Sequence, residues 1–204
     1  MKTKEKIKHI ARELFNKKGF KNVTLREVAK KLAISYGNVT YHFKTKNHLI
    51  LNLYEDMLSE TSEILKSFDY NNLFEGILDA PKLTFEISLK YLFFYVDFVE
   101  IKRNYANISL KVEQDNTDRK KGYLHILQKL QTQGIIRKEL SDNDLDYLMD
   151  LSGAMRTFFF INLNPENFSD ADLKDRYVVY VNNLIFPYLT LKGIEKYKSY
   201  LLCI

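Results

Sequence analysis

Between residues 24 and 46 the chain collects side chains that form hydrogen bonds with anionic oxygens and with the edges of flat polar rings. They are Thr24, Arg26, Ser35, Tyr36, Asn38, Thr40, Tyr41, His42 and Lys46. Hydroxyls, an amide, an imidazole and two cations form a recognition set rather than a reaction centre. A short helix over residues 36–43 that buries Val39 and Phe43 leaves Tyr36, Asn38 and Tyr41 facing out. Taken by themselves, two of these residues stay ambiguous. Gly37 is either a weak helix position costing ~1 kcal/mol or a point of close approach. His42 is either a structural imidazole or a contact.

The elements around this segment must hold it in place. Ile7, Ile10, Ala11, Leu14 and Phe15 form one apolar stripe and predict a helix over residues 4–18, ended by Gly19. Thr24-Leu-Arg-Glu27 is a capping box: the Thr hydroxyl bonds the Glu27 amide and the Glu side chain returns the bond. It opens a helix over 25–32 with Val28, Ala29 and Leu32 inward. Residues 33–35 form a tight turn, with Ser35 capping the next helix. Two short helices separated by three residues make a helix-turn-helix. In that motif the first helix crosses a DNA backbone and the second enters the major groove.

Charge is distributed unevenly. Residues 1–48 hold thirteen Lys and Arg against three acids, a surplus of ten, and the other 156 residues carry a net −5 within a total of +5. A basic head on an acidic body fits either a polyanionic partner for the head or a solvated lysine-rich face.

The stretch from Thr24 to Leu49 resembles the signature of the TetR family of transcriptional regulators. The matching run is Ile34-Ser35-Tyr36-Gly37-Asn38-Val39-Thr40-Tyr41-His42-Phe43, followed by Thr45-Lys46-Asn47-His48-Leu49. Thr40 departs from the pattern, because the family usually has Tyr there. The resemblance covers about residues 4–53. It implies that Thr24, with the start of its helix, meets a phosphate, and Arg26 is counted with it. It implies that Ser35, Tyr36, Asn38 and Tyr41 line the groove, that Gly37 lets the backbone approach DNA, and that His42 and Lys46 lie near phosphates. Val39 and Phe43 brace the helix from behind. It further implies a homodimer on a pseudo-palindromic duplex site, and a helical C-terminal domain that dimerises and binds a small-molecule effector. The expected division is residues 1–48 for DNA binding and 49–204 for effector binding and dimerisation.

The remainder reads as all-α. Seven Gly and three Pro are too few for a turn-rich β fold. Helices are expected over 45–67, 82–103 as one buried rod, 118–133, 141–163 and 169–186. Residues 69–80 read as a loop, with Pro81 at a helix start. Asn164-Pro165 stops one helix, Pro187 breaks or kinks the last, and Gly193 weakens any helix beyond it. Phe94, Phe98, Met149, Ser152, Met155 and Phe159 either line an effector pocket or are plain core. Arg156, within an apolar run, binds an acidic ligand, pairs across a dimer or reaches for water.

Other classes find little support. There is no phosphate loop, dinucleotide glycine motif, zinc-type His/Glu pair or nucleophile elbow, so no enzyme, cofactor or metal site is expected. Asp142 to Asp146 lacks the Gly and Glu of a calcium loop. Lone Cys203 makes no disulfide. With no apolar signal core and no apolar run near ~18 residues, the expected location is the cytoplasm, away from membranes. The alternative function is a helical protein-interaction module whose basic head meets an acidic protein.

Overall fold

The structure is a computed structural model that describes residues 2–66, 72–163 and 171–202. Eleven α-helices are seen among the described residues, and no β-strand. They are α1 (Thr3–Lys18), α2 (Leu25–Leu32), α3 (Tyr36–His42), α4 (Lys46–Leu65), α5 (Leu73–Lys90), α6 (Phe93–Val96), α7 (Phe98–Asn104), α8 (Ala106–Thr132), α9 (Asp142–Ile161), α10 (Ala171–Asn182) and α11 (Leu191–Leu201). The chain packs as two compact units. One is Met1–Glu63 with Glu86–Val112, the other Ile64–Phe85 with Glu113–Ile204.

In the first unit the α1 stripe is buried: Ile7, Ala11, Leu14 and Phe15 lie inside. Phe15 packs its ring 5.3 Å from Phe20 and 5.1 Å from Phe93, in edge and tilted contacts of the favoured kind. Val23, Val28, Val39, Phe43, Leu49 and Leu53 complete this core and fix α2 and α3 against α1 and α4.

In the second unit Leu73, Phe74, Leu78, Leu127, Leu130, Leu145 and Leu148 form the centre of the core. The α9 start is a full capping box. Ser141 Oγ accepts from the Asp144 amide at 3.3 Å, and the Asp144 carboxylate accepts from the Ser141 amide at 2.8 Å. The Ser141 hydroxyl also donates to the Asp144 carboxylate at 2.7 Å, and this bond, helped by the one from the Ser141 amide, holds the Asp144 carboxyl below the ordinary carboxylate pKa.

Several sequence expectations are corrected. Pro81 lies inside α5, not at its start, and is buried. A proline there removes one helical donor and crowds the preceding turn, a cost that burial of the surrounding apolar face offsets. The expected rod over 82–103 is three helices, α5, α6 and α7, with breaks after Lys90 and at Asp97. The α8 helix starts at Ala106, twelve residues before the expected start. The helix bearing Val178 and Val181 ends at Asn182, and Pro187 sits in a 3₁₀ turn over Asn183–Tyr188. Gly193 does not weaken α11. A Cβ there would stand 2.3 Å from the Ile135 carbonyl oxygen, so only glycine admits that approach. The stop at Asn164-Pro165, the opening Ser169, the end of α4 near 67 and Cys203 lie outside the described residues.

Candidate nucleic-acid interface

The α2 helix begins at Thr24, whose extended backbone and Oγ1 cap the Glu27 amide at 3.2 Å. The Glu27 carboxylate turns to the Lys18 ammonium. That contact, with help from the Thr24 backbone and Lys30, holds its pKa below the usual value. The turn to α3 hinges on Ala33, which adopts the left-handed conformation at φ 53° while its amide and that of Ile34 bond back onto α2. A non-glycine residue there costs roughly 1 kcal/mol, so the tight turn is imposed by the packing of α2 and α3. Ser35 Oγ then caps the Asn38 amide at 3.1 Å.

This arrangement places Val39 and Phe43 at zero exposure and turns Tyr36, Gly37, Asn38 and Tyr41 outward, with Tyr41 83% exposed. Thr24, Arg26 and Ser35 share that exposure, and His42 is half-buried. The Arg26 guanidinium lies 5.2 Å over the Tyr36 ring, which restrains both side chains. A Cβ on Gly37 would meet only Ser35 Oγ, at 3.9 Å, so nothing within the chain demands glycine there. The surface thus presents hydroxyls, an amide and a cation on a braced helix.

Two of the expected contact residues point elsewhere. Thr40 Oγ1 bonds the Tyr36 and Gly37 carbonyls of its own helix, both at 3.2 Å. Lys46 Nζ bonds the Phe20 carbonyl and sits 3.7 Å from the centre of the Phe20 ring. Burial pushes its pKa down to about 8, against the pull of the Asp97 and Glu100 carboxylates. Lys46 thus ties the start of α4 to the turn after α1 rather than facing out.

The second unit holds a narrow cleft. It offers about 20 Å³ to a water-sized sphere, room for one or two water molecules. Ser152 and Arg156 line it, with Leu148, at the four-residue spacing of one α9 face. Tyr123, Asn182, Ile77 and Pro81 line the other walls. The Arg156 guanidinium reaches Ser152 Oγ and the Tyr177 hydroxyl, each at 3.4 Å. The other expected lining residues lie elsewhere. Phe94 is core of the first unit, packed on Tyr54, and Phe98 sits at the surface of that unit beyond the Asp97 break. Met149 packs against the second core. Met155 falls on a different side of α9, and Phe159 joins a ring cluster with Phe160, Tyr177 and Tyr180. Sequence reasoning missed Tyr123 and Asn182. Asn182, buried inside an apolar run and donating to the Leu78 carbonyl at 2.8 Å, carried a usable signal, because a buried amide needs a partner.

Among the described residues no helix is long and apolar enough to cross a membrane, and no group of three His, Cys, Asp or Glu stands close enough to hold a metal ion.

Comparison with known proteins gives the same picture from outside. Residues 7–53 match the family profile described as bacterial regulatory proteins, tetR family, and residues 53–197 match the one described as bacterial transcriptional repressor. Over 53 residues the chain is 45% identical to the HTH-type transcriptional regulator QacR of Staphylococcus aureus, covering 26% of this chain and 28% of that protein. Over 65 residues it is 35% identical to the probable HTH-type transcriptional regulator YttP of Bacillus subtilis, covering 32% and 31%. The matched stretches thus span about three tenths of those relatives. A TetR-family regulator from Marinobacter aquaeolei superposes over 98% of this chain and 99% of its own, with a TM-score of 0.82 at 24% identity. The ketosteroid regulator KstR2 of Mycobacterium tuberculosis does so over 93% and 96%, with a TM-score of 0.70 at 16% identity. These two share the fold. With both profiles together spanning nearly the whole chain, the protein belongs to the TetR family of bacterial transcriptional regulators.

Proposed function

We propose that the protein is a cytoplasmic homodimeric repressor that reads a pseudo-palindromic duplex site through α3 and leaves it when a small, largely apolar effector binds at the cleft, which must widen to admit it. The observation that carries this reading is α3 itself: capped, seven residues long, locked from behind by Val39 and Phe43, with its polar groups outward. Asn38 supplies an amide able to pair with an adenine edge, and Tyr36 and Tyr41 supply hydroxyls and flat faces. Thr24, Arg26 and the free amides at the start of α2 suit phosphates, with Ser35 and His42 beside them. Gly37, free of any internal need for glycine, suits close approach of a DNA backbone.

The dimer is supported by apolar side chains left bare in the second unit. On α9 these include Tyr147, Phe158 and Ile161, and on α10 Val179 and Tyr180. Soluble monomers seldom expose so many large apolar groups on paired helices. Two copies joined there would carry two heads, suited to half-sites about 34–36 Å apart. The division into residues 1–48 for DNA and 49–204 for effector and dimer is part of this proposal. The compact units divide the chain differently, because helices after residue 85 add mass to the head. The effector reading rests on a mainly aliphatic cleft with Tyr123, Ser152, Arg156 and Asn182 as its polar points.

Selection of bound fragments from random duplex DNA, followed by anisotropy titration over a salt series, tests the proposal. If a dimer neutralises ~8 phosphates, log affinity falls against log salt with a slope of roughly −7. A chain that dimerises yet enriches no fragment, or binds with a flat salt response, would instead be a helical protein-interaction module.

A further inference from the structure

The α6 helix has only four residues, and both of its ends are fastened by hydrogen bonds to residues far away in sequence. At its start, Asn16 on α1 uses its whole amide. Nδ2 donates to the carbonyls of Leu89 and Lys90, at 3.4 and 3.0 Å, and Oδ1 accepts from the Phe93 amide at 3.0 Å. The Lys90 carbonyl at the end of α5 and the Phe93 amide at the start of α6 are groups that would otherwise need water, while the Leu89 carbonyl also accepts from the Leu92 amide at 3.2 Å. At its other end, the Asp97 carboxylate accepts from the Phe20 amide at 2.7 Å. The Phe20 carbonyl in turn accepts from Lys46. Phe20 opens the 3₁₀ turn Phe20–Asn22 within the connection between α1 and α2. Its backbone is therefore held at both polar atoms by residues 26 and 77 positions away. Its ring is held too, 5.3 Å from those of Phe15 and Tyr105.

The turn that aims the helix-turn-helix is thus fixed from outside. We infer that Asn16 and Asp97 are positioning residues for DNA binding: they clamp α6 to α1 and to the turn after α1, and so set the angle at which α2 and α3 leave α1. The inference rests on the DNA-binding reading above. Neither residue belongs to the proposed DNA-facing surface, so their effect passes through backbone geometry. A carboxylate accepting from an amide is among the stronger hydrogen bonds, and its loss leaves the partly buried Phe20 N–H unpaired. The group that Asp97 contacts is a neutral amide, so the inference places its role in the acceptor, and the charge it also presents to Lys46 is separated from that role by the Asn variant.

The test uses the full chain with Asp97→Ala and Asp97→Asn, measured two ways. Affinity is read by anisotropy on a fragment selected by the wild type, over a salt series. Local order is read by hydrogen exchange with mass spectrometry. Asp97→Ala should weaken binding about tenfold or more. Its salt slope should stay that of the wild type, since the phosphate contacts are unchanged. Exchange should quicken over residues 19–33 and stay unaltered in α9. Asp97→Asn, whose amide oxygen still accepts from Phe20, should recover most of the affinity. Asn16→Ala frees the other end of α6 and carries the same test if Asp97→Ala does not fold. Wild-type affinity in Asp97→Ala overturns the inference, as does unchanged exchange at the turn. An Asp97→Asn as weak as Asp97→Ala overturns it too, by assigning the effect to charge. A wild type that enriches no DNA fragment removes the function itself, a failure visible without either variant.

Discussion

α3 and α9 both turn one face outward, and the two faces have opposite chemistry. α3 is seven residues long and shows phenolic hydroxyls and an amide from Tyr36, Asn38 and Tyr41. α9 is twenty residues long and shows Tyr147, Phe158 and Ile161, with Phe158 65% exposed. A short polar face can meet a hydrated polyanion and return to water at little cost. A long apolar face cannot stay bare cheaply, at about 25 cal/mol for each Å² left wet. The same device, a capped helix with a buried back, therefore sorts partners by the chemistry it leaves outside.

The largest expected break comes from α3. Replacing Asn38 and Tyr41 together with Ala should erase sequence preference, with affinity for the selected fragment falling roughly a hundredfold at ~1–3 kcal/mol per contact. Sedimentation should show the same oligomer as the wild type. If preference survives, α3 is not the reader. Next, Phe158→Asp on α9 should shift the proposed dimer towards monomer by a factor of ten or more, as for a central interface aromatic. DNA affinity should drop with it, while Asn38 and Tyr41 remain intact. An unchanged sedimentation profile would place the dimer contact elsewhere.

Matched caps sharpen the contrast further. Ser35→Ala and Ser141→Ala each remove the cap of one of these two helices. Each should cost about 1 kcal/mol of stability in denaturant unfolding. Only Ser35→Ala should also weaken DNA binding. The smallest effect is one of pH, and it belongs to the head alone. Burial holds the folded Lys46 near a pKa of about 8, below the ordinary lysine value. Between pH 8 and the ordinary value the unfolded chain binds a proton that the folded one does not, so stability rises with pH across that window. Below pH 8 both forms are protonated and the slope vanishes. Thermal melts at pH 7.5 and 9.5 should show Lys46→Met losing that rise, and an identical pH response in both proteins would mean that burial leaves Lys46 unshifted.

How much of this was readable in advance depends on where each instruction sits. The α1 stripe, the Thr24 and Ser35 caps and the buried pair Val39 and Phe43 are local patterns, and each appears in the structure where its spacing places it. The Ser141/Asp144 capping box is local too. The breaks flanking α6 are not, since no Gly or Pro marks them and the groups that stabilise them come from Asn16 and Phe20. Pro81 misled for the same reason in reverse: a local helix signal is overridden by burial. The α11 helix was hidden because Gly193 reads as a breaker, whereas it is the point where the Ile135 carbonyl comes in. Thr190, which caps the Gly193 amide at 3.1 Å, was the sign that a helix starts there. At the surface, side-chain type suggests a contact for Thr40 and the resemblance implies one for Lys46, but neither says which way a flexible side chain turns.

The cations of the head fall into two populations. Lys8 is bound to Asp56 and Glu5, Lys18 to Glu27 and Lys46 to Phe20, while Arg12 lies over Tyr91. Such groups still add to the long-range field that draws a polyanion in, which favours rapid encounter at low ionic strength. Held by partners within the chain, they are less available for gripping it. In the proposed role, capture of DNA from a distance would therefore draw on nearly all the positive charge near the amino end, whereas dwell time on a site would depend on the smaller set left at the surface.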